Sequence, residues 1–157
     1  LHVDQANEVL GRLVAEAGPE PIVHLLGLRR DMPRVTAALD VAALSSAGQE
    51  SLPLVVGEAM SCGVPCVVTD VGDASYLVGD TGVVVPPRDP DAMAAAWAAL
   101  MAEGTDAREA RGRAARERIA RHFGLDAVAR QYEDFYASLV SRSRSRARSN
   151  TTVASAE

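Results

Sequence analysis

Apolar positions recur at helical spacing from Val3 to Ala17, and Gly18-Pro19 closes the run, so the chain is expected to open on a helix. Residues 21–27, PIVHLLG, are a short apolar stretch between Pro and Gly and predict a strand. MPRVTAALD follows as a helix with Pro33 in its first turn. VAALSS, 41–46, predicts the next strand, and a helix starts near Pro53. PCVVTD, 65–70, and GVVVPP, 82–87, predict two further strands. Three helical segments close the pattern. Residues 90–103 are Ala-rich around Trp97, with Asp89 or Asp91 placed to cap them; residues 106–121 carry charges of both signs, as on a solvated helix. Residues 126–140 set Val128, Tyr132, Phe135 and Leu139 on one face, a stripe suited to docking on the domain.

Helices alternating with short apolar strands imply an α/β fold, a Rossmann-like parallel sheet with helices on both faces in three layers. A domain spanning residues 1–140 is expected. It begins on a helix rather than on the strand that should precede it, so a first strand is expected to be missing. From Ser141 the periodicity stops, and residues 141–157 are expected to be a disordered Arg/Ser tail. Its four Arg residues suit anionic lipid or nucleic acid, though a short basic run reads first as a solvated tail.

Composition narrows the classes. The 157 residues are 48% hydrophobic, enough for one ordinary domain with a core. No apolar run approaches the roughly 18 residues needed to cross a bilayer, and no signal-peptide layout opens the chain. A net charge of −5 argues against nucleic acid as the main partner, and all 16 basic residues are Arg. Cys62 and Cys66 flank Gly63-Val64-Pro65, while His2, His24 and His122 are scattered, so the pair reads as small core residues rather than metal ligands. With no disulfide suggested, a cytoplasmic location is expected.

The chemistry concentrates in GQESLPLVVGEAMSCG, residues 48–63, where Glu50 and Glu58 lie around a short apolar helix with no Lys or Arg between them. In an open parallel sheet, ligands bind beyond the carboxyl ends of the strands, where the AGQES loop belongs. Pro53 suits the first helical position, leaving the Leu54, Val55 and Val56 amides free toward the loop. Such a helix start favours a phosphate. Glu58 falls roughly 7–8 Å further along the axis, a span that suits the ribose of a bound nucleoside diphosphate. Its carboxylate can accept from two vicinal hydroxyls, and Gly57 beside it permits close approach. Glu50, on the other side of the phosphates, would then serve the hydroxyls of a second substituent, such as a sugar. Each acid could equally be an ordinary surface Glu.

Glu50, seven residues, then Glu58, within ESLPLVVGEAMSCGVPCVVTDVG, resembles the signature of glycosyltransferase family 4. VHLLGLRRDMPRVTAALDVAALSS upstream and GDTGVVVPPRDPDAMAAAWAAL downstream extend the resemblance over about residues 20–103. It implies the C-terminal, donor-binding half of a two-domain GT-B enzyme, retaining and dependent on a nucleotide sugar. It also implies roles: Glu58 on the ribose, and Glu50 on the transferred sugar near the reacting centre, as the catalytic residue. Ser51, Leu52, Pro53 and Leu54 would line the donor site, with the Leu52 and Leu54 amides on sugar or phosphate. Leu28 and Arg29 would border the base. The implied donor is a UDP- or GDP-sugar without cofactor or metal. The implied acceptor is a glycan or lipid-linked molecule brought by the N-terminal domain, as in polysaccharide biosynthesis, with peripheral membrane contact at the cytoplasmic face.

This sequence departs from the family pattern in places. Ser51 and Leu52 stand where Gly and an aromatic residue are common, and Asp73 follows Gly72 where a second Gly is often found. The family's Arg and Lys for the leaving diphosphate fall before Leu1, so Arg29, Arg30 and Arg88 are the substitutes in reach, each also readable as solvated surface. This chain by itself is therefore expected to bind donor weakly and transfer nothing. Rival readings are a non-catalytic binding or scaffolding module and a GT-B nucleotide-sugar epimerase.

Overall fold

A computed structural model describes residues 7–16 and 23–154, with side chains described as far as residue 142. Three parallel strands, β1 (Ala42–Leu44), β2 (Cys66–Thr69) and β3 (Val83–Val85), lie in the order β1-β2-β3. Ala42 pairs with Cys66 and Leu44 with Val68 on one side, while Val67 pairs with Val83 and Thr69 with Val85 on the other. Every residue of β2 is buried. That is why its sequence, CVVT, does not alternate: a central parallel strand is covered on both faces.

The pleat divides the core. Cys66 and Val68 point to the face covered by α3 (Leu54–Ser61), α4 (Ala74–Val78) and α6 (Thr105–His122), among Val56, Ala59, Met60, Leu77, Val78 and Ala115. Val67 points the other way, into Met93, Ala96 and Leu100 of α5 (Pro90–Ala102). The expected three layers are present. Asp89 caps α5 by accepting a hydrogen bond from the Ala92 amide at 2.9 Å. The remaining helices are α1 (Glu8–Glu16), α2 (Met32–Ala37, with Pro33 in its first turn) and α7 (Leu125–Ala154). Parts of two expected elements, residues 3–6 and 17 of the first helix and 21–22 of the first strand, lie outside the described residues.

Three expectations are corrected. Val23–Gly27 are not in a strand: they pair with none of the three strands of the described sheet, and a strand exists only through its ladder. The charged helix α6 is not simply solvated. It buries Gly112 and Ala115 and packs against α3, because a Cβ on Gly112 would come within 1.8 Å of the Gly63 carbonyl oxygen, so only glycine lets the two backbones touch. The α7 stripe does not dock on the described residues. Ala127 is buried and Val128 half-buried, but Tyr132, Phe135 and Leu139 are 58%, 56% and 44% exposed, since α7 leaves the body after its first turn. Helix α7 is described as far as Ala154, and residues 155–157 of the expected Arg/Ser tail lie outside the described residues.

Candidate functional site

Helix α3 has two faces. Val56, Ala59 and Met60 are buried against the sheet, whereas Leu54, Val55 and Glu58 are exposed. Leu54, Gly57, Glu58, Ser61 and Cys62 line a cleft of about 510 Å³, closed by Met32, Pro33 and Thr36 of α2 and by Leu77, Ile119 and Phe123. That volume falls in the range of small-molecule sites. Glu58 is the one charged residue on this wall, and its carboxylate has no hydrogen bond or ion pair among the described residues. It is thus an acid facing a cleft, not a buried charge within the helix.

The helix start differs by one residue from expectation. Pro53 is the N-cap, in extended conformation (φ −75°, ψ 101°), and α3 begins at Leu54. The Pro53 carbonyl accepts from the Val56 amide at 3.1 Å and from Gly57 at 3.3 Å, so Val56 is not free for a ligand. Among the described residues only the Leu54 and Val55 amides remain without a partner at this helix start, and it is these that carry the positive end of the dipole. A Cβ on Gly57 would have nothing within 4 Å, which leaves the backbone there open to the cleft.

Glu50 lies outside the wall, two residues ahead of Leu52, in the loop that follows β1. Its position is fixed from several sides. The Ser46 hydroxyl donates to Glu50 Oε1 at 2.9 Å, and the buried Thr69 hydroxyl, at the end of β2, donates to the Ser46 carbonyl at 2.7 Å. The Asp73 amide donates to the Ser51 carbonyl at 3.0 Å. Gly72, at φ +57°, backs directly onto the Glu50 carbonyl. Just before the acid, Gln49 holds a left-handed conformation (φ 35°), which is uncommon without a reason in the surroundings. The loops after β1 and β2 are therefore locked together at the carboxyl end of the sheet.

The other expected site residues are less central. Leu52, Pro53 and Leu54 line the cleft, while Ser51 is exposed beside it. Leu28 is 97% exposed, and Arg29 is held by Asp31 in a two-point ion pair at 2.6 and 2.8 Å that keeps the Asp31 carboxyl below its ordinary range. Neither is on the wall, although Met32 and Pro33 just beyond them are. Arg30 and Arg88 are exposed and also off the wall, so no Arg of the described residues lines the cleft.

Sequence reasoning missed the far side of the cleft, Leu77, Ile119 and Phe123. The Arg118 guanidinium organises it, donating to the Leu77 carbonyl at 2.9 Å and to the Tyr76 carbonyl at 2.6 Å and lying 5.9 Å from the Phe123 ring centre. No local signal in the charged α6 sequence marks Arg118 among its neighbours. Cys66 is buried, and its thiol is pushed up to about 12 by burial; Cys62, also expected in the core, is half-buried on the cleft wall. No described helix is long and apolar enough to cross a membrane.

Comparison with known proteins bears on this arrangement. A family described as "Glycosyl transferases group 1" matches residues 4–103. A D-inositol 3-phosphate glycosyltransferase of Xylanimonas cellulosilytica is 38% identical over 123 residues, 77% of this chain and 29% of that protein. An exopolysaccharide phosphotransferase of Streptomyces coelicolor is 35% identical over 136 residues, 85% of this chain and 14% of that protein. Among solved structures, Anabaena HepE in complex with UDP-glucose matches with a TM-score of 0.73 at 26% identity, over 83% of this chain and 36% of that one. The chain thus spans about a third or less of the length of each of these proteins.

Proposed function

The chain belongs to the group 1 glycosyl transferases, and from that premise we propose that it forms the donor-binding part of a retaining hexosyltransferase that uses a UDP- or GDP-sugar. The observation that carries this reading is Glu58: an acid with no partner among the described residues, on the wall of a cleft of about 510 Å³, one helical turn beyond the open Leu54 and Val55 amides. The solved relative with UDP-glucose bound supports the same class of ligand.

In this reading the diphosphate rests against the start of α3, where the amides and dipole meet its negative charge. Glu58 accepts hydrogen bonds from the ribose hydroxyls. The sugar extends past Leu52 toward Glu50, whose carboxylate accepts from a sugar hydroxyl and stands near the reacting carbon. The base lies toward Met32 and Pro33, with Leu28 and Arg29 bordering it. Departure of the nucleoside diphosphate needs preorganised positive charge. Here the cleft wall offers amides and no Arg, so the remaining charge must be met by groups beyond this wall. Front-face attack, with the leaving phosphate assisting deprotonation of the acceptor, gives retention without a protein nucleophile. The acceptor is a glycan or lipid-linked molecule, met at the cytoplasmic face of a membrane, and no metal ion takes part.

The experiment is a transfer assay on the full-length protein with UDP- and GDP-sugars. Nuclear magnetic resonance of the product is expected to show the donor's anomeric configuration; an inverted product would refute the mechanism. A second reading is a module that binds nucleotide sugars and transfers nothing. Tight donor binding with no product from any acceptor would select it.

A further inference from the structure

We propose that Ser46 is a positioning residue for Glu50: it engages one carboxylate oxygen so that the other is presented to the sugar of a bound nucleotide sugar. The inference rests on the donor-binding reading above and goes beyond it by assigning part of the preference for a sugar nucleotide over the free nucleotide to Ser46, acting through Glu50.

The argument starts from the hydroxyl's single proton. Ser46 Oγ spends it on Glu50 Oε1 at 2.9 Å. A hydroxyl bound to a carboxylate makes one of the stronger protein hydrogen bonds. Oε2 has no partner among the described residues, so it is the atom left to accept from a ligand. Ser46 itself cannot drift, because the Thr69 hydroxyl donates to its carbonyl at 2.7 Å from a site only 3% exposed, and β2 carries Thr69 as a wholly buried strand. Geometry thus passes from the central strand through Thr69 to the Ser46 backbone, and from the Ser46 hydroxyl to the acid. On the opposite side, Gly72 and the Asp73 amide hold the Glu50–Ser51 backbone. The backbone of Glu50 is fixed by one loop and its side chain by the other. Removing Ser46 Oγ releases only the side chain.

That separation defines the test. Binding of UDP, UDP-glucose, GDP and GDP-mannose to the full-length protein is measured by calorimetry for wild type, Ser46→Ala and Ser46→Thr. Ser46→Ala is expected to weaken the preferred sugar nucleotide about tenfold, as for loss of a hydrogen bond to a charged group. The matching free nucleotide should change less than twofold. Ser46→Thr keeps the hydroxyl and should restore the preference. An unchanged ratio of sugar nucleotide to nucleotide in Ser46→Ala would overturn the inference while leaving the donor-binding reading intact. Parallel loss of both ligands would also overturn it, by showing that Ser46 serves the fold alone. Absence of binding to folded wild type by all four ligands would end both.

Discussion

Gly72 and Glu50 touch through their backbones: a Cβ built on Gly72 would lie 2.1 Å from the Glu50 carbonyl oxygen. Two requirements meet at this glycine, since its φ of +57° also excludes most side chains. The contact sets where the loop after β1 can run and therefore where the acid stands.

Gly72→Ala is expected to destabilise the fold by about 2 kcal/mol or more, because the atom it would strike is backbone and cannot rotate away. Urea denaturation checks this as a lower midpoint. The same variant should lose sugar-nucleotide binding, as Glu50 moves with its loop.

Gly57→Ala separates stability from binding. The position is mid-helix with nothing within 4 Å of the new Cβ, so helix propensity should raise stability by up to about 1 kcal/mol. The methyl group projects into the cleft, so nucleotide affinity should fall. A higher melting temperature together with a weaker Kd is the expected pair of results.

Arg118→Ala removes the donors from the Tyr76 and Leu77 carbonyls and takes a cation from the Phe123 ring. A cost of about 1–2 kcal/mol is expected for a half-buried group of this kind, read by thermal denaturation. Arg118→Lys should recover little, since one ammonium cannot reproduce the planar fork. Leu77 and Phe123 form part of the cleft wall, so nucleotide affinity should drop in step.

The two thiols should behave differently. Alkylation of the native protein near pH 8 is expected at Cys62, with ligand slowing it, and at Cys66 only after unfolding. Cys66 also adds a pH dependence. Its folded thiol is raised from 9.0 to about 12, so above pH 9 the unfolded thiol ionises while the folded one does not. Stability from this group is therefore complete below pH 9 and is lost as pH rises from 9 toward 12. Cys66→Ala should flatten that part of the stability curve.

The three strands of the sheet were legible as short apolar runs, and Asp89 was one of the two candidate caps for α5. The acids were legible as residue types, and Glu58 lies where the helix period places it, one turn beyond Leu54. What the sequence hid depends on contacts between distant segments. The Gly63–Gly112 approach turns a charged helix into a packed one, and Arg118 acts through α4 across 41 and 42 residues. The α7 stripe has helical periodicity whether or not a partner covers it, so docking could not be read from spacing. The Val23–Gly27 strand failed for a related reason, since β-structure is a property of pairs.

The most direct test compares wild type and Glu58→Ala by titration with UDP- and GDP-sugars. Glu58 is exposed and without a partner for its carboxylate among the described residues, so the substitution should leave the melting temperature unchanged. Loss of two hydrogen bonds to a carboxylate should weaken the preferred nucleotide sugar and its free nucleotide alike, by about tenfold or more. Equal affinity in the two proteins, with wild type binding its donor, would contradict the assignment of the cleft as the nucleotide site.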